Sequence, residues 1–292
     1  MADPVTISSG ALRATVAPLG AELVSLTDAA GRELMSDGDP AFWSGRAPVL
    51  FPIVGRLNGD RYRIDGTEYA LPQHGFARRM DFAVAAQGDD HVRFRLTDTP
   101  ATHEVYPFAF VLEMDFALEG TALAMTATIT NPGAVPLPAS FGYHPAFAWP
   151  LPYGGTKDEH RIVFAEAEPA PIRAIAPGGT IAAEPVASPV TGRTLTLSDD
   201  LFANDALIWD RLESRSLHYG AVDGATLEID FPDTEWLGLW TKPGASFLCI
   251  EPWAGMADPA DFDGEFRDKP GVFEIAPGAS RVFRMMVRLA EN

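Results

Sequence analysis

Phe110, Leu112, Met114, Phe116 and Leu118 alternate with Val111, Glu113, Asp115 and Ala117, and no other feature of the chain constrains its fold as strongly. Side chains repeating every second residue share a face only in an extended strand, so this run predicts a strand with one buried face. Glu119-Gly120 supplies a turn, and Leu123, Met125, Ala127 and Ile129 carry the period back, which predicts an antiparallel pair. The same rhythm opens the chain, through Val5 and Ile7, a turn at Ser9-Gly10, then Leu12 and Val16. It closes the chain through Phe283, Met285, Val287 and Leu289. With 26 glycines and 25 prolines as punctuation, many short strands are expected, without amphipathic helices longer than about three turns. The fold class this predicts is all-β, a sandwich or a barrel, in one domain over residues 1–292. Two stretches break the rhythm. Ser36 to Trp43 is expected as a loop or one helical turn, and the Pro-, Ala- and Gly-rich stretch from Pro150 to about Gly192 as a surface excursion with few regular elements.

Charge narrows the partners. A formal net charge of -18 opposes nucleic acid and anionic membrane surfaces, both of which select a cationic face. An uncharged small molecule is the simpler expectation. The N-terminus MADPVTISSGALR lacks a basic start followed by an apolar run, and no window reaches transmembrane length, so a cytoplasmic location is expected. The single cysteine, Cys249, excludes an internal disulfide and a multi-cysteine metal site, and its apolar neighbours predict a buried strand position. No His-x-His or His-Glu-x-x-His spacing occurs, so no metal is expected. Nucleophilic-serine and phosphate-loop signatures are absent as well.

Polar residues in unusual settings mark the candidate site. Tyr62, Ile64, Tyr69 and Leu71 alternate around Asp65-Gly66, which predicts a β-hairpin whose open end carries Arg56, after Gly55, and His74, before Gly75. His144 lies in the aromatic run Phe141 to Phe147, whereas His91, His103, His160 and His218 sit among ordinary polar neighbours and are expected at the surface. Glu251 ends the apolar run Phe247 to Ile250, where burial would raise its pKa toward that of a useful base. Pairing with an arginine such as Arg56 is the structural alternative. Asp205 is either a ligand-binding carboxylate or a turn cap.

Taken together, FPIVGRL at 51–57, LPQHGFAR at 71–78, GYHP at 142–145 and IEPW at 250–253 resemble the aldose 1-epimerase (galactose mutarotase-like) superfamily, and within it the LacX-like bacterial branch. The resemblance implies a large antiparallel β-sandwich of the supersandwich type, few short helices, and no metal or organic cofactor. It implies interconversion of the α and β anomers of a hexose, with Glu251 as general base at the anomeric hydroxyl and His144 as general acid at the ring oxygen. His74 would bind and polarise the ring-oxygen region, and Arg56 and Asp205 would hold sugar hydroxyls. The expected partner is then a small sugar, bound by a monomer or homodimer. Three alternatives stay open: a non-catalytic sugar-binding protein on the same fold, a hexose 6-phosphate 1-epimerase using Arg78 and Arg79, and a glycosidase built on Glu251 and Asp205.

Overall fold

The computed structural model describes residues 2–290. The alternating run forms the strand Val111–Glu119, paired antiparallel with Ala122–Thr130 in a register that sets Leu118 opposite Leu123 and Leu112 opposite Ile129. Leu112, Met114, Phe116 and Leu118 are all buried, as their period requires. Around this pair grows a nine-stranded antiparallel sheet, in the order Thr194–Thr196, His160–Phe164, Ser216–Ala221, Thr226–Asp230, Ser280–Ala290, Ala122–Thr130, Val111–Glu119, His91–Thr97 and Ala83–Gln87. A second antiparallel sheet runs Ile181–Val186, Ile172–Ile175, Leu207–Trp209, Trp236–Trp240, Phe247–Ala254, Phe141–Tyr143 and Val49–Leu50, and Ala146–Ala148 also pairs with Phe247–Ala254.

Side chains join the two sheets face to face. Phe141 stacks on Phe283 with ring centroids 5.0 Å apart, and Phe164 packs on Trp209 at 5.7 Å. The Tyr143 hydroxyl accepts from the Ala127 N–H at 3.0 Å and lies 2.9 Å from the Phe283 carbonyl oxygen, so a polar tether crosses the core with its groups satisfied. Tyr219 donates to the Ala148 carbonyl at 2.7 Å in the same way. These contacts make the fold a β-sandwich, with few short helices, of which Pro100–Val105 is α-helical and capped by Thr99.

Phe247–Ala254 is buried along its whole length. Leu248 and Ile250 enter the core shared by both sheets, while Phe247, Cys249 and Trp253 belong to smaller clusters on the opposite face. That opposite face holds the candidate site. Cys249 is fully buried there, as its apolar context predicted.

Two expectations are corrected. The stretch from Pro150 to Gly192 contains His160–Phe164, Ile172–Ile175 and Ile181–Val186, which are members of the two main sheets. Each is short, Ile172–Ile175 pairs with Ile181–Val186 only across a register shift, and His160–Phe164 takes its partners from Thr194–Thr196 and Ser216–Ala221, so the alternation is drowned in the surrounding Ala, Pro and Gly. His160 is not at the surface but fully buried. Its Nδ1 faces the Thr156 carbonyl at 2.8 Å, and its Nε2 accepts from the Leu151 N–H at 2.9 Å, so both ring nitrogens bridge backbone groups. Ser36 to Trp43 is a loop with a turn at its end, where the Phe42 and Trp43 N–H groups both donate to the Asp39 carbonyl.

Candidate active site

The hairpin forms where the alternation set it, as Arg61–Ile64 and Thr67–Ala70, and Asp65 and Gly66 both have positive φ at its turn. Its open end closes on itself. The His74 N–H donates to the Gly55 carbonyl at 2.8 Å, and the Gly55 N–H donates to His74 Nδ1 at 3.1 Å. A ring nitrogen that accepts carries no proton, so the neutral His74 holds its hydrogen on Nε2. Positive φ at Gly55, His74 and Gly75 folds this corner tightly. A Cβ on Gly75 would come 2.3 Å from the Phe51 carbonyl oxygen, and one on Gly55 would meet Ala257 at 2.5 Å.

His144 follows directly on Phe141–Tyr143, and the tether made by Tyr143 through the core fixes where the next residue emerges. Glu251 lies on the neighbouring Phe247–Ala254 strand, with Gly238 opposite it in the ladder. His144 Nε2 and Glu251 Oε2 stand 3.2 Å apart, with the side chains 9% and 3% exposed. Glu251 therefore pairs with a histidine, and among the described residues no arginine forms an ion pair with it. Burial raises the Glu251 pKa well above the carboxylate range, and Asp205 adds to the rise. Burial lowers His144 to about 3, and lowers His74 well below its usual value, with the charges of His144, Arg78 and Arg79 acting in the same direction. Burial thus works against the charged form of both groups.

A cavity of about 310 Å³ opens on this pair, at the small end of ligand sites and suited to a ligand of monosaccharide size. His74, His144, Asp205 and Glu251 all line it. Asp205 holds φ at 80 and accepts from the Ala206 N–H with its own carboxylate, so it caps a turn and also faces the cavity. Arg56 is the exception. Its guanidinium is engaged bidentately by Asp60 at 2.9 and 3.0 Å, and it is not among the lining residues. The lining cations are instead Arg78, whose Nε is buried without a hydrogen-bond partner, and Lys242.

Sequence reasoning overlooked Trp43 and Trp240. Trp43 lies against His144 with centroids 4.9 Å apart and meets Trp240 edge to face at 5.5 Å, giving the cavity an aromatic wall. The one sequence signal was Gly45, two residues on, where a Cβ would strike the Trp43 ring at 2.4 Å. Gly142 and Gly238 make room for Trp253 in the same sense, since a Cβ on either would meet that indole at 2.6 or 2.5 Å. Trp240 is brought to the site by its register opposite Cys249, which no local pattern discloses.

Chemically, the arrangement offers a carboxyl and an imidazole 3.2 Å apart, a second imidazole fixed as a donor, a further carboxylate and an aromatic wall. It can move protons between two neighbouring oxygens of a small polyhydroxylated ligand.

The family model for aldose 1-epimerase matches residues 3–272. The chromosomal LacX protein of Lactococcus lactis subsp. lactis is 30% identical over 281 residues, which cover 89% of this chain and 90% of that one. Among solved structures, a galactose mutarotase related enzyme from Lactobacillus acidophilus superposes with a TM-score of 0.91 at 29% identity, over 99% of this chain and 98% of that one. A galactose mutarotase-like protein from Lactobacillus casei ATCC 334 has the same TM-score at 28% identity, over 98% of this chain and 100% of that one. Among the described residues, no helix is long and apolar enough to cross a membrane. The chain belongs to the aldose 1-epimerase family.

Proposed function

We propose that this protein is an aldose 1-epimerase that interconverts the α and β anomers of a hexose. The observation that carries the reading is the 3.2 Å separation of His144 Nε2 and Glu251 Oε2 at the head of the cavity. The anomeric hydroxyl and the ring oxygen of a cyclic hemiacetal are bonded to the same carbon, so groups serving both must themselves be neighbours. Glu251 takes the proton of the anomeric hydroxyl and His144 delivers one to the ring oxygen. The ring opens, C1 turns about the C1–C2 bond, and the reverse transfers close it with the other configuration. No nucleophile is needed, and both groups return to their starting state.

That cycle starts with Glu251 ionised and His144 protonated, a pair of opposite charges that burial by itself disfavours. A bound sugar supports it by donating its anomeric hydroxyl to the carboxylate and offering the ring oxygen to the imidazolium, which replaces solvation lost on burial. His74, holding its proton on Nε2, is a hydrogen-bond donor throughout. Asp205 accepts from sugar hydroxyls, and the Trp43 and Trp240 wall takes the apolar C–H face. The test is polarimetry or NMR exchange between anomeric protons, across glucose, galactose and their 6-phosphates. Acceleration over buffer with at least one of them is expected. Sugar binding by calorimetry without acceleration would replace this reading with that of a sugar-binding protein.

A second reading, in which the sugar carries an acidic group, is favoured by one observation. Arg78 and Lys242 line the cavity, and Arg78 keeps a buried donor without a partner. The 6-phosphates in the same assay separate the two readings.

A further inference from the structure

Cys249 takes no part in the chemistry above, yet it lies two residues before Glu251 and so on the same face of the strand. Its sulfur, a ring nitrogen of His144 and a carboxylate oxygen of Glu251 all lie within 4.8 Å of one another. Four-coordinate zinc, with bonds of about 2.0–2.3 Å, holds its ligand atoms about 3.3–3.8 Å apart. The three donors therefore surround a position that such an ion could occupy after each moves by about 1 Å or less. Cys249 is a free, buried thiol, and the His144 nitrogen that faces Glu251 at 3.2 Å is Nε2, so Nε2 is the ring atom that an ion between them would take.

We propose that these three residues form an inhibitory site for a thiophilic divalent cation such as Zn²⁺ or Cd²⁺. A thiolate and a carboxylate balance the charge of the ion, so the occupied site is electrically neutral in a buried setting. Sulfur and imidazole ligands select Zn²⁺ or Cd²⁺ over Mg²⁺ and Ca²⁺, which prefer an all-oxygen set. His144 and Glu251 line the cavity, which leaves the fourth position open toward it for water or a sugar hydroxyl. Binding releases the thiol proton to solvent. The ion occupies the lone pairs that would move protons at carbon 1, so an occupied site is inactive. Only this last consequence rests on the epimerase reading; binding itself does not.

The test titrates the metal-free full chain with Cd²⁺ and follows the ultraviolet thiolate-to-cadmium charge-transfer band, with Zn²⁺ and Mg²⁺ compared by calorimetry. One Cd²⁺ per chain is expected to give the band in wild type, and Cys249→Ser is expected to abolish it. Zn²⁺ affinity should fall at least tenfold in Cys249→Ser and in Glu251→Gln, with Mg²⁺ giving no binding at this site. Circular dichroism establishes that the variants fold, and Cys249→Ala serves as the second replacement. Absence of the band in wild type, or unchanged Zn²⁺ affinity in the folded cysteine variants, would overturn the proposal. In the anomer-exchange assay, Zn²⁺ should suppress the acceleration and a chelator restore it. A metal-free chain without any acceleration would defeat the epimerase reading, while the band would still decide the site.

Discussion

At the scale of single residues, two ionisable groups, His144 and Glu251, are held together out of water. Replacing Glu251 by Gln keeps the shape but removes the proton acceptor, so anomer exchange should fall by roughly 10²–10⁴-fold, the usual worth of a positioned acid or base. Thermal melting of the variant reports whether the fold survives. His144 has a stability signature as well. Burial holds it neutral down to about pH 3, whereas an unfolded chain protonates it near 6.5. Between those values the unfolded state binds more protons, so this contribution to stability is complete above pH 6.5 and is lost as pH falls toward 3. Glu251, raised by burial, has the opposite sign, with its contribution present below about 4.5 and lost as pH rises through the folded value. His144→Gln should therefore flatten the fall in urea midpoint between pH 6.5 and 3, and an unaltered slope would contradict the buried neutral imidazole. Both residues could be picked out from their neighbours, because a Glu ending an apolar run and a His among aromatics are costly placements. Their mutual contact could not, since 107 positions of chain separate 144 from 251.

Among structural elements, tight corners decide what reaches the cavity. The Gly55–His74–Gly75 corner closes the hairpin and fixes the tautomer of His74. Gly75→Ala imposes a left-handed alanine and a contact of 2.3 Å with a backbone oxygen, so it should destabilise the fold by about 1–3 kcal/mol or more, measured by urea denaturation. Gly238→Ala acts on a side chain instead. Its new methyl would push on the Trp253 indole at 2.5 Å, next to Glu251, and the expected result is a raised KM together with a smaller loss of stability. An unchanged KM in Gly238→Ala would argue that Trp253, which lines the cavity, does not help to place the ligand. The hairpin was legible because Asp-Gly and period two act between near neighbours. The direction of Arg56 was not, because Asp60, four residues on, captures the guanidinium only in the folded turn.

In the molecule as a whole, two sheets share one core, and the site lies on the outer face of a strand whose inner face is part of that core. Phe141 and Phe283 meet at the centre, stacked at 5.0 Å. Phe283→Ala should cost about 3–5 kcal/mol through the cavity it leaves. If both sheets unfold together, fluorescence and far-ultraviolet circular dichroism will report one coincident transition in wild type and variant alike. Two separated transitions would show that the sheets are independent units. The sequence by itself determined the strands of the best-patterned pair, their inward faces, the hairpin and the residues whose placement was expensive, because each follows from local geometry or from the desolvation of one side chain. Tertiary structure alone decided that His144 meets Glu251, that Trp43 and Trp240 wall the cavity, that Arg78 lines it in place of Arg56, and that His160 is buried. The first two are matters of ladder partners and packing between distant segments, and strand pairing leaves no periodic trace of which strand is the partner, whereas Arg56 and His160 are claimed by Asp60 and by the Thr156 and Leu151 backbone only once the chain is folded.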